Sequence, residues 1–190
     1  MRMSEKLSAN DWIRAALKAL AVDGFTAVKA DVLAKTLGVS RGSFYWHFEN
    51  IDKFHLCVMQ RWQEIATDAI ILQVEGSAKG TSRLRLLIYL ALTADSSLET
   101  GIRAWGSSFQ PAMPFIQKVD QLRLSYIERL ILEAGLDAAL ARTRAQIIYW
   151  TYLGSIFSER HPEGLLLENL IEQMELLAFR EGALPNLGIE

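Results

Sequence analysis

Aromatic, hydroxyl and basic side chains crowd into one short stretch, Gly38–Phe48, which reads GVSRGSFYWHF. Together Trp, Tyr, His, Ser and Arg supply apolar contact, hydrogen bonds and positive charge, the chemistry that meets base edges and phosphates. At roughly 100° per residue on a helix, Phe44 and Phe48 share one face, with Arg41 and Tyr45 on its edge. Gly42, Ser43, Trp46 and His47 fall on the opposite face. Two Phe residues suffice to anchor so short an element, which leaves the far face for recognition. Taken by itself, the stretch reads equally well as a packing helix whose Trp and Tyr are buried.

Other chemistry is sparse. His47, His55 and His161 show no metal-site spacing, and neither a nucleophile elbow, a P-loop nor a dinucleotide fingerprint occurs. A helical enzyme would have to use pocket carboxylates such as Asp95 or Asp120. His55 reads as a surface or core-edge residue. Cys57 lies among Phe54, Val58 and Met59 and reads as a buried, inert thiol; as the single cysteine it excludes an internal disulfide. No metal and no cofactor are expected.

The elements around the stretch narrow its reading. Ser8 with Asp11 forms a capping-box pattern ahead of the stripe Trp12, Ala16, Leu17 and Leu20, which Asp23-Gly24 ends. A second helix, about Lys29–Leu37, turns Val32, Leu33 and Leu37 inward and stops at Gly38. Ser40 can then cap the next helix with its hydroxyl. A Gly-containing turn of three to four residues between two helices is helix-turn-helix spacing. On that frame the Phe44/Phe48 side packs, and the Trp46/His47 side faces a groove. A longer helix runs from an Asn50 cap to about Val74, with Phe54, Val58, Trp62, Ile65 and Ala69 as its stripe. The sequence EGSAKGT, 75–81, reads as a loop.

Charge and composition permit this reading without demanding it. The 190 residues are 51% hydrophobic and 22% charged, ordinary globular composition. Residues 1–56 carry eight Lys/Arg against six Asp/Glu, a net +2, whereas the remainder carries 12 against 16, a net −4. A small DNA-binding module on an acidic body fits that asymmetry. The polar start, MRMSEKLSAND, lacks a signal-peptide core, and no apolar run approaches the ~18 to 20 residues of a membrane span. A cytoplasmic protein without membrane contact is expected.

The sequence resembles the TetR family of bacterial transcriptional regulators. The likeness rests on Gly24-Phe25-Thr26, on Leu33-Ala34 followed by Leu37-Gly38-Val39-Ser40-Arg41-Gly42, and above all on Phe44-Tyr45-Trp46-His47-Phe48. It covers about residues 8–60. The resemblance implies an all-α fold: an N-terminal three-helix helix-turn-helix module, 1–52, joined by a long fourth helix to a ligand-binding and dimerisation body, 53–190. It implies DNA contacts from Lys29, Ser40, Arg41, Gly42, Ser43, Tyr45, Trp46, His47 and Lys53. Arg41, Ser43 and Trp46 would read bases, and Tyr45 and His47 would hold phosphates. The chain departs from the family at Ile51, where members often carry Lys, and at Asp31, where many carry Arg or Thr.

The body reads as five more helices, about 83–94, 98–108, 115–134, 137–157 and 165–180, the first apolar almost all round and the last two joined by the turn 161–164. Val119, Leu122, Tyr126, Leu130 and Ile131 are spaced to face inward in the third of these. The last two helices carry wide apolar faces, including Ile147, Ile148, Tyr152, Leu170, Ile171, Met174 and Leu177. Such faces suit simple core equally well; the resemblance implies that they form a homodimer interface matched to a palindromic operator. Trp62, Tyr89, Trp105, Phe109, Met113, Phe115, Tyr126 and Trp150 suit either ordinary packing or an apolar cavity; the resemblance implies a pocket for a small apolar or aromatic effector. The expected function is a dimeric, effector-released repressor. A ligand-responsive activator of the same fold, a helical enzyme and a protein-binding adaptor are the alternatives.

Overall fold

The computed structural model describes residues 7–78, 82–158 and 162–179. Among them all regular structure is helical. Parts of the loop expected at 75–81 and of the turn at 161–164, and Arg180 at the expected end of the last helix, lie outside the described residues.

The first helix, α1 (Ala9–Asp23), opens on its capping box: the Ser8 hydroxyl accepts from the Asp11 amide, and the Asp11 carboxylate accepts from the Ser8 amide at 2.7 Å. Bonds from the Ser8 hydroxyl and amide, then from Arg14, pull the Asp11 carboxyl from 3.8 down to about 2. Trp12, Ala16, Leu17 and Leu20 form the buried stripe, and Gly24, at φ +74°, ends the helix. A tight 3-10 turn, Phe25–Ala27, leads into α2 (Ala30–Thr36). So short a helix has one buried line, Ala30, Leu33 and Ala34. Val32 falls off that line and is 37% exposed, a correction to its expected inward place. Gly38 takes φ +69° and its amide bonds back to the Lys35 carbonyl, while Val39 bonds to Ala34. These bonds close α2 with its last carbonyls satisfied.

The next segment, Arg41–Trp46, is a 3-10 helix and not an α-helix. Asn50 then caps α3 (Ile51–Gln63) by accepting from the Lys53 amide. A π-helical turn, Glu64–Asp68, carries the chain from α3 into α4 (Ala69–Glu75). The turn alters the buried stripe. Phe54, Val58 and Trp62 are fully buried, but Ile65 is 37% exposed and Thr67 takes the inward place at 2%. A π turn bonds i to i+5, so the buried line steps from Trp62 to Thr67 and then to Val74, and Ile65 and Ala69 leave it.

The remaining helices are α5 (Arg83–Thr93), α6 (Ser97–Ser108), α7 (Met113–Glu133), α8 (Ala138–Ile156) and α9 (Gly164–Phe179). Only Leu84, Ile88 and Leu92 of α5 are buried, so this helix is not enclosed all round as its sequence suggested. Leu122 of α7 is likewise turned partly outward, at 38% exposure. Asp137 caps α8 by accepting from the Ala139 and Leu140 amides.

The chain divides into two compact units, one of Met1–Gly76 with Ala94–Leu122, the other of Ser77–Thr93 with Arg123–Glu190. The boundary expected at residue 52 separates roles; compactness instead gathers α6 with the first helices. In the first unit α1 and α6 cross so closely that a Cβ on Gly101 would lie 2.4 Å from the Leu20 carbonyl oxygen. In the second unit Arg144 donates to the Ala178 carbonyl at 3.1 Å, and Arg85 pairs with Glu175 at 3.1 Å. Ile148, Ile171, Met174 and Ala178 are buried there.

Gly101→Ala should therefore destabilise the protein by ~1–3 kcal/mol in urea unfolding, the usual cost of forcing a backbone apart. Gly42→Ala meets only the Ser40 hydroxyl at 3.7 Å and should stay within ~0.5 kcal/mol of the parent. Equal stabilities for the two variants would contradict the close crossing.

Candidate nucleic-acid interface

Four rings decide which way the Arg41–Trp46 segment faces. Phe44 meets Trp12 edge-on at 5.4 Å and Phe54 at 5.2 Å, while Phe48 meets Phe54 at 4.7 Å. Phe44 is fully buried and Phe48 is 6% exposed. Edge-to-face pairs of this kind add to the gain from burial alone. With the Phe side fixed inward, Trp46 is 81% exposed and Tyr45 53%. Arg41 and Gly42 are exposed, and Ser43 and His47 are half-buried.

Local bonds arrange this surface. The Arg41 guanidinium donates to the Tyr45 hydroxyl at 3.4 Å, one turn away. That contact places a cation and a phenol side by side. Ser40 is extended, but its hydroxyl makes no capping bond; the Ser43 amide reaches the Ser40 carbonyl at 3.0 Å instead. The expected hydroxyl cap is thus replaced by the backbone bond of a 3-10 turn. Lys29, at the N-cap of α2, and Lys53, in the first turn of α3, are both exposed, as is Asp31. Ile51 is half-buried against the core.

His55, expected at the surface or the core edge, is buried at 8% exposure, and its Nε2 lies 3.3 Å from the Val28 carbonyl. Burial pushes its pKa below 6.5, against opposing effects of the Val28 bond and Asp52. The signal was present: positions 55, 59 and 62 repeat at helical spacing beside the 54, 58 and 62 line, so α3 has a wide inner face. Cys57 is a free thiol, half-buried and not fully enclosed.

The eight residues considered for an effector pocket fall in both units. Trp62, Trp105, Phe109, Met113 and Phe115 belong to the first, and Tyr89, Tyr126 and Trp150 to the second. Trp62 is fully buried, with its indole N–H donating to Glu99 at 3.1 Å. Arg103 holds Glu99 at 2.8 Å and grips Asp120 with both terminal nitrogens, at 2.8 and 3.3 Å. Asp120 is thereby committed to an ion pair, which removes it as a free catalytic base. Trp105 stacks on Phe25 at 4.7 Å and on Phe109 at 6.2 Å. Tyr89 is 49% exposed and Trp150 63%. Phe115 lines a surface cavity of about 360 Å³ beside the π turn, with Leu56, Gln60, Gln63, Glu64, Asp68 and Lys118. Its lining is more polar than the expected apolar pocket. Among the described residues no His, Cys, Asp and Glu group could hold a metal ion, and no helix is long and apolar enough to cross a membrane.

Residues 13–54, which carry Lys29, Ser40–His47 and Lys53, match the model of a family described as bacterial regulatory proteins, tetR family. That match spans the helix-turn-helix part of the chain. Solved structures share its helical architecture along nearly the whole length. A transcriptional regulator from Rhodococcus sp. Rha1 is 17% identical, at a TM-score of 0.70, over 90% of this chain and 96% of that one. GusR of Salmonella enterica is 15% identical, at 0.70, over 93% and 98%. The fatty acid degradation regulator FadR of Bacillus halodurans is 20% identical, at 0.64, over 94% and 97%. No curated protein matches the sequence. The match over residues 13–54, together with the shared fold, supports a DNA-binding transcriptional regulator.

Replacing Tyr45 by Phe together with His47 by Ala should weaken binding to all DNA sequences alike, with little change in the salt slope. Trp46→Ala should instead lower discrimination between sites by ~1–3 kcal/mol, the scale of one good base contact. Fluorescence titrations over a salt series against specific and random duplexes distinguish the two effects; the same loss pattern from both variants would overturn the division of roles.

Proposed function

We propose that this regulator is a homodimeric repressor that reads a palindromic operator and is released from it by a small effector. The observation that carries the reading is Trp46, 81% exposed on a segment whose Phe44 and Phe48 are sunk in the core. A large apolar ring held out in water beside Ser43, Tyr45 and His47 is costly for a free surface and useful in a major groove. In this reading Arg41, Ser43 and Trp46 contact bases, Tyr45 and His47 contact phosphates, and Lys29, Ser40, Gly42 and Lys53 complete the footprint within residues 1–52.

The homodimer is supported by the outer faces of α8 and α9. Ile147, Trp150, Phe157, Leu165, Leu166, Leu176 and Leu177 are all at least 39% exposed. Apolar exposure on this scale marks an interaction surface, and a two-fold pairing would set two reading segments on successive turns of one DNA face. The cavity lined by Phe115 has a volume suited to a small ligand. It adjoins the π turn of the rod that runs on from the reading module. An effector favouring one of two arrangements of that rod would shift the balance by its differential affinity, typically ~1–3 kcal/mol.

The test is a gel shift with fragmented genomic DNA and dimeric protein at moderate salt. A specifically retained fragment with two-fold symmetry is the expected result, and uniform, salt-sensitive binding to every fragment would refute it. Trp150→Glu with Leu166→Glu should yield a helical monomer in sedimentation equilibrium whose operator affinity falls ~100-fold or more, because the second half-site is lost. A doubly substituted protein that stays dimeric would sink the assigned interface.

A further inference from the structure

We propose that His55 is an acid-sensitive latch: its neutral imidazole holds the Phe25–Val28 connector in place under the reading module, and protonation loosens that connector and the DNA-competent form it supports. The last clause rests on the DNA-binding reading above; the latch itself does not.

The geometry is confined to the first unit. The His55 ring is 8% exposed and ringed by Trp105 at 5.0 Å, Phe25 at 5.4 Å, Phe109 at 5.9 Å and Phe54 at 6.1 Å. One nitrogen is spoken for: Nε2 lies 3.3 Å from the Val28 carbonyl, and a carbonyl only accepts, so Nε2 carries the proton and donates. The other, Nδ1, is buried without a hydrogen-bond partner. In the neutral ring Nδ1 is a bare lone pair, a tolerable orphan. In the protonated ring it becomes an N–H, and a charge, with nothing to accept it.

The surroundings offer no remedy. Phe25–Val28 and the stretch from Trp105 to Ala112 contain no Asp, Glu, Lys, Arg or His. Among the described residues the ionised group acting on the ring is Asp52, three residues earlier on α3. Its attraction and the Val28 bond both favour the charged form, but burial opposes it more strongly and sets the net direction downward. A chain in which the connector has opened binds the proton in water, near 6.5. The open form therefore takes up protons that the closed form refuses. The closed state keeps its full advantage above that value and loses it progressively as pH falls below, by up to roughly tenfold in population per pH unit.

What opens is defined by what His55 touches. Phe25 stacks on Trp105 at 4.7 Å with an interplanar angle of 13° and also contacts the His55 ring. Val28 is fully buried and directly precedes Lys29, the N-cap of α2. Expelling a charged ring from between these groups frees the entrance to α2 and so the turn that positions Arg41–Trp46.

The experiment uses the full chain. Imidazole resonances are followed by NMR from roughly pH 8 to 5, alongside hydrogen exchange of the Ala27 and Val28 amides, which bond to Gly24 and Phe25 in the connector. The expected result is a His55 that stays neutral in the closed form, with Ala27 and Val28 losing protection by up to about tenfold per pH unit below 6.5. His55→Gln keeps a donor for Val28 without a titrating ring and should abolish that loss. Asp52→Asn removes the favourable charge and should deepen it, which keeps the idea exposed if the Gln variant folds poorly. Protection that is independent of pH in the parent, or equally acid-labile in His55→Gln, overturns the latch. DNA binding of the same proteins is a separate arm: connector loosening without any specific fragment binding at neutral pH would defeat the operator reading and leave the latch standing, whereas specific binding with a pH-independent connector would do the reverse.

Discussion

The burial of Phe44 and Phe48 against Trp12 and Phe54 is the constraint on which the rest of this protein depends. Six residues of 3-10 helix cannot hold an orientation through their own backbone bonds, because a short helix is marginal in water without tertiary packing. The two phenyl rings supply that packing. Each buries enough apolar surface to contribute ~1.5–3 kcal/mol, and the edge-on contacts at 5.4, 5.2 and 4.7 Å fix the rotation of the segment about its axis. Once the rotation is fixed, the exposure of Trp46 and Tyr45 follows as a consequence. Recognition chemistry here is what remains on a helix whose other side has been committed to the core.

The same constraint propagates outward through α1. Trp12 packs on Phe44 from one end of that helix, and Leu20, near the other end, receives α6 at a distance that only Gly101 permits. α1 is therefore rigidly bonded by packing to the reading segment and to α6. Beneath α6 the Trp62–Glu99–Arg103–Asp120 chain ties α3, α6 and α7 through an indole donor, a buried carboxylate and a two-pronged guanidinium. Buried charges of this kind cost much to separate. They explain why the first unit extends past the helix-turn-helix to include residues 94–122.

Sequence reasoning reached the helices and the reading face because those depend on local rules. Caps at Ser8, Asn50 and Asp137, the glycine at 38 and the stripe from Trp12 to Leu20 are each written in a few neighbouring residues. It failed where the outcome depends on contacts distant in the chain. The register change at Glu64–Asp68 leaves no compositional mark, so Ile65 was expected inward where Thr67 lies. His55 reads from sequence as a surface or core-edge residue, because its partner, the Val28 carbonyl, is 27 positions away. Seven aromatics and Met113 suited either packing or a cavity, because a list of types carries no information about which unit each belongs to. Their division between two units, with Trp62 and Trp105 closed into the core, is a tertiary result.

The 3-10 geometry of the reading segment sharpens the roles beyond what an α-helical wheel allows. With three residues per turn, side chains three apart eclipse one another. Ser43 and Trp46 then share one row, Gly42 and Tyr45 a second, and Arg41 and Phe44 the third. Phe44 drives its row into the core, so Arg41 sits at the margin of that row and its long side chain must bend to leave it. It does so toward the Tyr45 hydroxyl, 3.4 Å away. One of the two rows turned away from the core carries the small hydroxyl and the large ring, and the other carries the phenol, with the guanidinium as its partner. An α-helix, turning ~100° per residue, would offset Ser43 from Trp46 by about 60°. The tighter helix aligns them instead, so that the hydroxyl and the large ring lie along one line, with the Tyr45 hydroxyl and the Arg41 guanidinium held together beside it.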